Sequence, residues 1–151
     1  MKIAINADYG GFGLSNEAQI IFYKKKYEKL YFYKNVYDSQ LNLVGFEKIS
    51  ETEFMNKEND FNCHIKYKDV GQYVSLEKDY SCDCIVDCHL FMSENNRTDA
   101  DLIEVIETLG EEKASGKFSK IKIIEIPDDA DYEIEEYDGN EWIAEKHRTW
   151  R

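Results

Sequence analysis

The sequence predicts an α+β fold: a mostly antiparallel sheet, two helices on one face of it, and a variable insertion in the middle. Three observations carry this reading. A β-rich opening runs into a glycine loop and a capped helix. A second capped, amphipathic helix precedes an apolar strand. An Asp-Gly turn near the C-terminus joins two alternating segments.

In chain order, Lys2–Asn6 is the first strand, with Ile3 and Ile5 on one face. Asp8–Asn16 follows, with Gly10, Gly11 and Gly13 within four positions. Ser15 is placed to cap a helix over Ser15–Leu30, whose Lys24, Lys25, Lys26 and Lys29 form a solvated side. Residues 31–95 give a poor signal and read as an insertion within a single domain spanning 1–151. Thr98 or Asp99 caps a helix through Leu109, with Leu102, Ile103, Ile106 and Leu109 as its apolar stripe and Gly110 as its stop. Lys120–Ile126 is apolar enough to be a central strand, and Pro127 ends it. Tyr132–Tyr137 and Asn140–Glu145 flank Asp138-Gly139 as a hairpin, which puts Ile134 opposite Ile143 and Glu135 opposite Trp142. The expected sheet joins the first strand, Lys120–Ile126 and this hairpin.

Composition bounds the function. Of 151 residues, 42% are hydrophobic and 33% charged, which marks a globular chain. The formal charge of −12 argues against direct nucleic-acid binding, which needs a basic footprint. It suits a partner with a basic surface, or a local basic pocket inside an acidic shell. No apolar run approaches the ~20 residues of a membrane span. The opening reads as a strand and not as a signal peptide, so the expected compartment is the cytoplasm, where the four cysteines are reduced.

Tyr9-Gly10-Gly11-Phe12-Gly13-Leu14-Ser15 resembles the opening signature of a widespread family of small, mostly uncharacterised phage and prophage proteins. Arg97-Thr98-Asp99, Leu109-Gly110, Glu125–Asp129, Glu136–Gly139 and Glu145–Trp150 stand in that family's order. The resemblance covers roughly residues 1–20 and 96–151 and leaves out the middle. Ala100 stands where the family usually has proline. The resemblance implies a phage setting inside a bacterial host cell and supplies no catalytic residues.

Four constellations bear on chemistry. The first is the loop Tyr9, Gly10, Gly11, Phe12, Gly13 and Ser15. Free amides at a helix start bind anions, and Tyr9 or Phe12 offers a stacking face; the competing account is a tight turn that needs glycine for steric reasons. No Walker pattern follows it. The second is the cationic tail His147, Arg148, Trp150 and Arg151 together with Arg97, suited to phosphate and to stacking, or else to neutralising Glu133, Glu135 and Glu136.

The third constellation is Cys63-His64 with Cys82, Cys84, Cys88 and His89. These are zinc-type ligands, but their spacing is poor for zinc, and a strand would point Cys82, Cys84 and Cys88 to one inward face as core cysteines. Core cysteine is the favoured account, so no metal and no cofactor is expected. The fourth is the set of carboxylates Glu104, Glu107, Glu111, Glu112, Asp128, Asp129 and Asp131, which reads as a solvated acidic face.

The residues therefore favour a non-catalytic binding protein over an enzyme. The leading expectation is sequestration of a small nucleotide-derived immune signal, of the cyclic nucleotide or cyclic ADP-ribose kind. Its pocket would be formed by Tyr9, Gly10, Gly11, Phe12, Gly13, Ser15, Arg97, His147, Arg148 and Trp150, in a symmetric homo-oligomer. The alternative is an acidic, DNA-mimic-like inhibitor of a host defence protein or nuclease.

Overall fold

A computed structural model describes residues 1–57, 61–80 and 83–146. The fold is α+β, and every paired strand is antiparallel. The elements in chain order are β1 (Lys2–Asn6), α1 (Asn16–Lys26), β2 (Tyr31–Tyr37), β3 (Leu43–Ile49), α2 (Glu51–Met55), β4 (Cys63–Lys66), β5 (Tyr73–Ser75) and α3 (Leu76–Tyr80). Then follow α4 (His89–Met92), a one-turn 3-10 helix at Glu94–Asn96, α5 (Ala100–Leu109), α6 (Glu111–Ala114), β6 (Ile121–Glu125), β7 (Tyr132–Tyr137) and β8 (Asn140–Glu145). Among the described residues no helix is long and apolar enough to cross a membrane. The chain divides into two compact units, Met1–Phe22 with Cys88–Arg151, and Tyr23–Asp87.

In the first unit, β1 pairs with β6, Ile3 against Ile124 and Ile5 against Lys122. Ile3, Ala4, Ile5 and Asn6 are all buried, so β1 is covered on both faces. Helix α5 packs on β1 through its apolar stripe, with Leu102, Val105 and Ile106 fully enclosed. Asp99 caps it by accepting from the Asp101 and Leu102 amides at 2.9 and 3.1 Å, and Gly110 closes it. Ser15 caps α1 as expected, accepting from the Ala18 amide at 3.2 Å, but α1 ends at Lys26, short of Leu30. Phe12, Phe22 and Phe91 form an aromatic cluster beside these elements.

The hairpin has the expected register: Ile134 opposes Ile143, Glu135 opposes Trp142, and Asp138 and Gly139 both have positive φ. It does not join the β1–β6 sheet, which corrects the single sheet expected from the sequence and leaves β6 with one strand neighbour among the described residues. The reason lies at the free edge of β1. There the Ala4 amide donates to the Arg97 carbonyl at 2.9 Å, and the Asn6 amide donates to a Glu141 carboxylate oxygen at 2.8 Å. Polar groups satisfy the edge that a strand would otherwise occupy.

The second unit holds a four-stranded sheet in the order β4-β2-β3-β5. One face buries Phe32, Ile49 and Ile65 with Phe54 of α2, the Phe32 and Phe54 rings lying 5.0 Å apart. The other face carries Tyr33, Phe46 and Val74 as its core. Against that core lies Lys66, fully enclosed, paired with Asp79 at 2.5 Å and set over the Tyr33 and Phe46 rings at 5.7 and 5.6 Å. A buried ammonium persists here because a carboxylate and two ring faces replace its water.

His64 packs between the same two rings, 6.0 Å from Tyr33 and 4.7 Å from Phe46. Burial first, and the Lys66 charge second, lower its pKa from 6.5 to about 4. It is therefore neutral at pH 7. Because the folded pKa is depressed, the stability tied to neutral His64 is fully present above pH 6.5. It is lost as pH falls from 6.5 towards 4. Allowing for partial solvent screening, that loss is about 2 kcal/mol. Urea denaturation of the wild type and His64→Phe across this window checks it. The wild type is expected to lose the extra stability and the variant to keep it; parallel curves would contradict the assignment.

Candidate functional site

The glycine loop is a packing junction. Gly10 and Gly11 adopt φ of +110° and +91°. A Cβ on Gly10 would sit 2.6 Å from the Phe118 carbonyl oxygen, so only glycine fits there. The Gly10 amide donates to the Asp138 carbonyl at 3.3 Å, which ties the loop to the hairpin turn. The Gly13 carbonyl accepts from the Gly116 amide and the Ser119 hydroxyl. Ser15 donates its amide to Ala114 and its hydroxyl to the Lys113 carbonyl, besides capping α1. Phe12 is buried, with the Arg97 guanidinium 3.7 Å from its ring centre.

Arg97 settles its own role. Its Nε donates to the Met92 carbonyl at 3.3 Å, and its Nη2 donates to the same carbonyl at 2.9 Å and to Glu141 at 3.0 Å. Its Nη1 donates to Glu141 at 2.7 Å and to the Ala4 carbonyl at 3.4 Å. A guanidinium has five N–H donors, and all five are spent inside the first unit. Arg97 is enclosed and Glu141 nearly so. Of the residues expected to contact ligand, Arg97 and Phe12 are both buried, and the guanidinium donors of Arg97 are directed at internal partners. The Gly10 amide is likewise committed. Of the expected loop ligands, only Tyr9 presents a large exposed side chain, at 58%. His147, Arg148 and Trp150 lie outside the described residues.

Two residues that the sequence did not single out complete this junction. Asn6, fully buried, donates to the Asp8 and Gly139 carbonyls, both at 2.6 Å, and accepts from the Lys120 amide at 2.8 Å. Glu141 joins Arg97 to the Asn6 amide. Neither stands out in sequence, since each acts through a partner more than 40 positions away.

The cysteine stretch also differs from expectation. Residues 83–92 form no named strand; only Ile85 bridges to Lys66, and α4 begins at His89. Cys84 is buried but disulfide-bonded, which corrects the expectation of reduced thiols throughout, while Cys63 and Cys88 are thiols outside any disulfide. Cys82 lies outside the described residues. His64 is held between aromatic rings, while the consecutive residues Asp87, Cys88 and His89, all exposed, bring one potential ligand atom each to within 4.8 Å of one another. Of the acidic residues, Glu107 pairs with Lys2, Asp128 pairs with the N-terminal ammonium, and Glu111 accepts from the Ile123 amide at 3.0 Å.

What the first unit does present is the outward face of the hairpin. Glu141 turns one face inward, so the opposite face carries Glu133, Glu135, Tyr137 and Trp142. Tyr137 is 71% exposed and Trp142 43%, the indole N–H donating to Glu135 at 2.7 Å. At the hairpin tip the backbone of Gly10 brings Tyr9 close, and with it Phe118, itself 57% exposed. Asp8, Glu136 and Asp138 are exposed beside them. Aromatic rings among carboxylates are suited to docking, and the described residues here assemble no nucleophile with a base. No family model, no curated protein and no solved structure matches the chain.

The packing of the turn against the loop gives a direct check. A Cβ on Gly139 would lie 2.3 Å from the Gly11 nitrogen, at a φ of +83°. Gly139→Ala is expected to destabilise the first unit by about 2 kcal/mol or more, read by chemical denaturation. A change below about 0.5 kcal/mol would show that the turn does not seat on the loop as described.

Proposed function

We propose that this chain is a non-catalytic binding protein whose acidic, aromatic hairpin face engages a basic protein partner. The single observation behind this reading is the exposed hairpin face that carries Tyr137 and Trp142 together with Glu133 and Glu135. Tyrosine and tryptophan are the side chains that most often dominate binding energy at interfaces. The surrounding carboxylates, on a chain of charge −12, steer a cationic partner and repel a second copy of the same chain. The resemblance to phage and prophage proteins supports a bacterial cell as the setting and a host defence protein or nuclease as the partner class.

Capture of a nucleotide-derived signal by the loop and tail is supported less well. Arg97 and Phe12 leave the ligand set, and that reading then depends on Tyr9, Gly11, Ser15 and the tail residues His147, Arg148 and Trp150.

The test uses the tagged full chain and bacterial lysate, with captured proteins identified by mass spectrometry. A basic protein is expected to be enriched over a charge-matched acidic control and to be released as salt rises from about 0.05 to 0.5 M. Tyr137→Ser with Trp142→Ser is expected to lower capture at least about tenfold at unchanged thermal midpoint. Capture equal to the control, or indifferent to the double substitution, would defeat the reading.

A further inference from the structure

The outer edge of the hairpin is open. β7 pairs with β8 alone, and among the described residues no strand lies along its other side. The phase of the ladder fixes which backbone groups are left over. The Lys146 amide donates to the Asp131 carbonyl at 2.9 Å, and the two-residue turn closes between Tyr137 and Asn140. Across an antiparallel pair the hydrogen bonds fall on every second residue, so Asp131, Glu133, Glu135 and Tyr137 turn theirs to β8. The N–H and C=O groups of Tyr132, Ile134 and Glu136 point away from it, and they have no hydrogen bond among the described residues.

This open edge is acidic. Glu133, Glu135 and Glu136 are exposed, and Glu133 has no ion pair or hydrogen bond among the described residues. Charged side chains on an edge strand hinder pairing with neutral or like-charged strands. A second copy of β7, paired antiparallel about Ile134, would set Glu133 opposite Glu135 twice, and like charges directly opposite each other are destabilising. A strand of opposite sign meets no such barrier.

We propose that β7 accepts an extended basic segment of the partner protein as an added antiparallel strand. The inference rests on the hairpin-face reading and names the mode by which the partner binds. Residues of the segment opposite Tyr132, Ile134 and Glu136 exchange hydrogen bonds with them. Those opposite Glu133, Glu135 and Tyr137 stand on the outward face. Arginine at these alternate positions meets two carboxylates and one exposed ring. The chain holds an arginine by the same two means in its own core, where Arg97 lies on the Phe12 ring and pairs with Glu141. Backbone pairing supplies the affinity, and the alternate charges select the partner.

The test is fluorescence anisotropy of the full chain with a labelled, end-blocked peptide of alternating arginine and valine. A second peptide has the same side chains and carries N-methyl groups on its valines, the residues whose amides donate to β7. The plain peptide is expected to bind one per chain, and the methylated one at least about tenfold more weakly. Glu133→Gln with Glu135→Gln is expected to weaken the plain peptide about tenfold at unchanged thermal midpoint, since both side chains are exposed. Equal affinity of the two peptides, equal affinity of the variant, or no binding at millimolar peptide overturns strand addition. The lysate capture decides the hairpin-face reading separately. Capture that depends on Tyr137 and Trp142, beside a peptide indifferent to N-methylation, keeps the face and removes the added strand.

Discussion

The first unit depends on one buried ion pair. Arg97 and Glu141 are joined by two short N–H to carboxylate bonds, and each also satisfies backbone at the free edge of β1. A buried pair of this kind adds little net stability against an apolar alternative, because both ions give up their water. Its contribution is to placement. It fixes the hairpin beside β1 without a backbone ladder, so β8 turns one face inward and the Tyr137–Trp142 face outward. Asn6 locks the same arrangement from the other side through the Gly139 carbonyl. The glycine loop then seats under the turn, and the aromatic side chains at the hairpin tip follow from that seating.

Local features were legible in the sequence, and distant ones were not. The caps at Ser15 and Asp99, the stop at Gly110 and the hairpin register depend on neighbours within a few positions, and the structure has all of them. The sheet assignment failed because the edge of β1 is closed by side chains from elsewhere in the chain, which no local pattern encodes. The charge of Arg97 marks it in the sequence, but its partners do not show there: they are Met92, Ala4 and Glu141, and only Met92 is near in sequence. In the middle, the β2–β5 sheet buries residues on both faces, Tyr33 on one and Phe32 on the other, so the alternation that marks a half-exposed strand is missing. Lys66 hid the strand further, since a lysine inside a core reads as surface. The alternation of Cys82, Cys84 and Cys88 suggested a strand that the described residues do not form.

The acidic charge divides its tasks between the units. On the first it surrounds exposed aromatic rings and suits docking to a cationic surface. On the second, carboxylates pair with lysines, Glu51 with Lys24 and Asp69 with Lys48, and buried Lys66 with Asp79 holds a core in which His64 stays neutral. The cationic side of α1, which the sequence marked only as solvated, contributes Lys24 to a cleft. A run of like charge on one helix takes its meaning from the sheet beside it.

The claim that Arg97 and Glu141 act as one unit to position the hairpin is tested most directly by a double-mutant cycle. Arg97→Met, Glu141→Leu and the combined variant would be compared with the wild type by chemical denaturation. Each single substitution strands a buried charge and is expected to cost about 3 kcal/mol or more, and the pair together less than the sum by about 2 kcal/mol or more. Strictly additive losses would mean that the two side chains do not depend on each other, and the arrangement of the hairpin would need another cause.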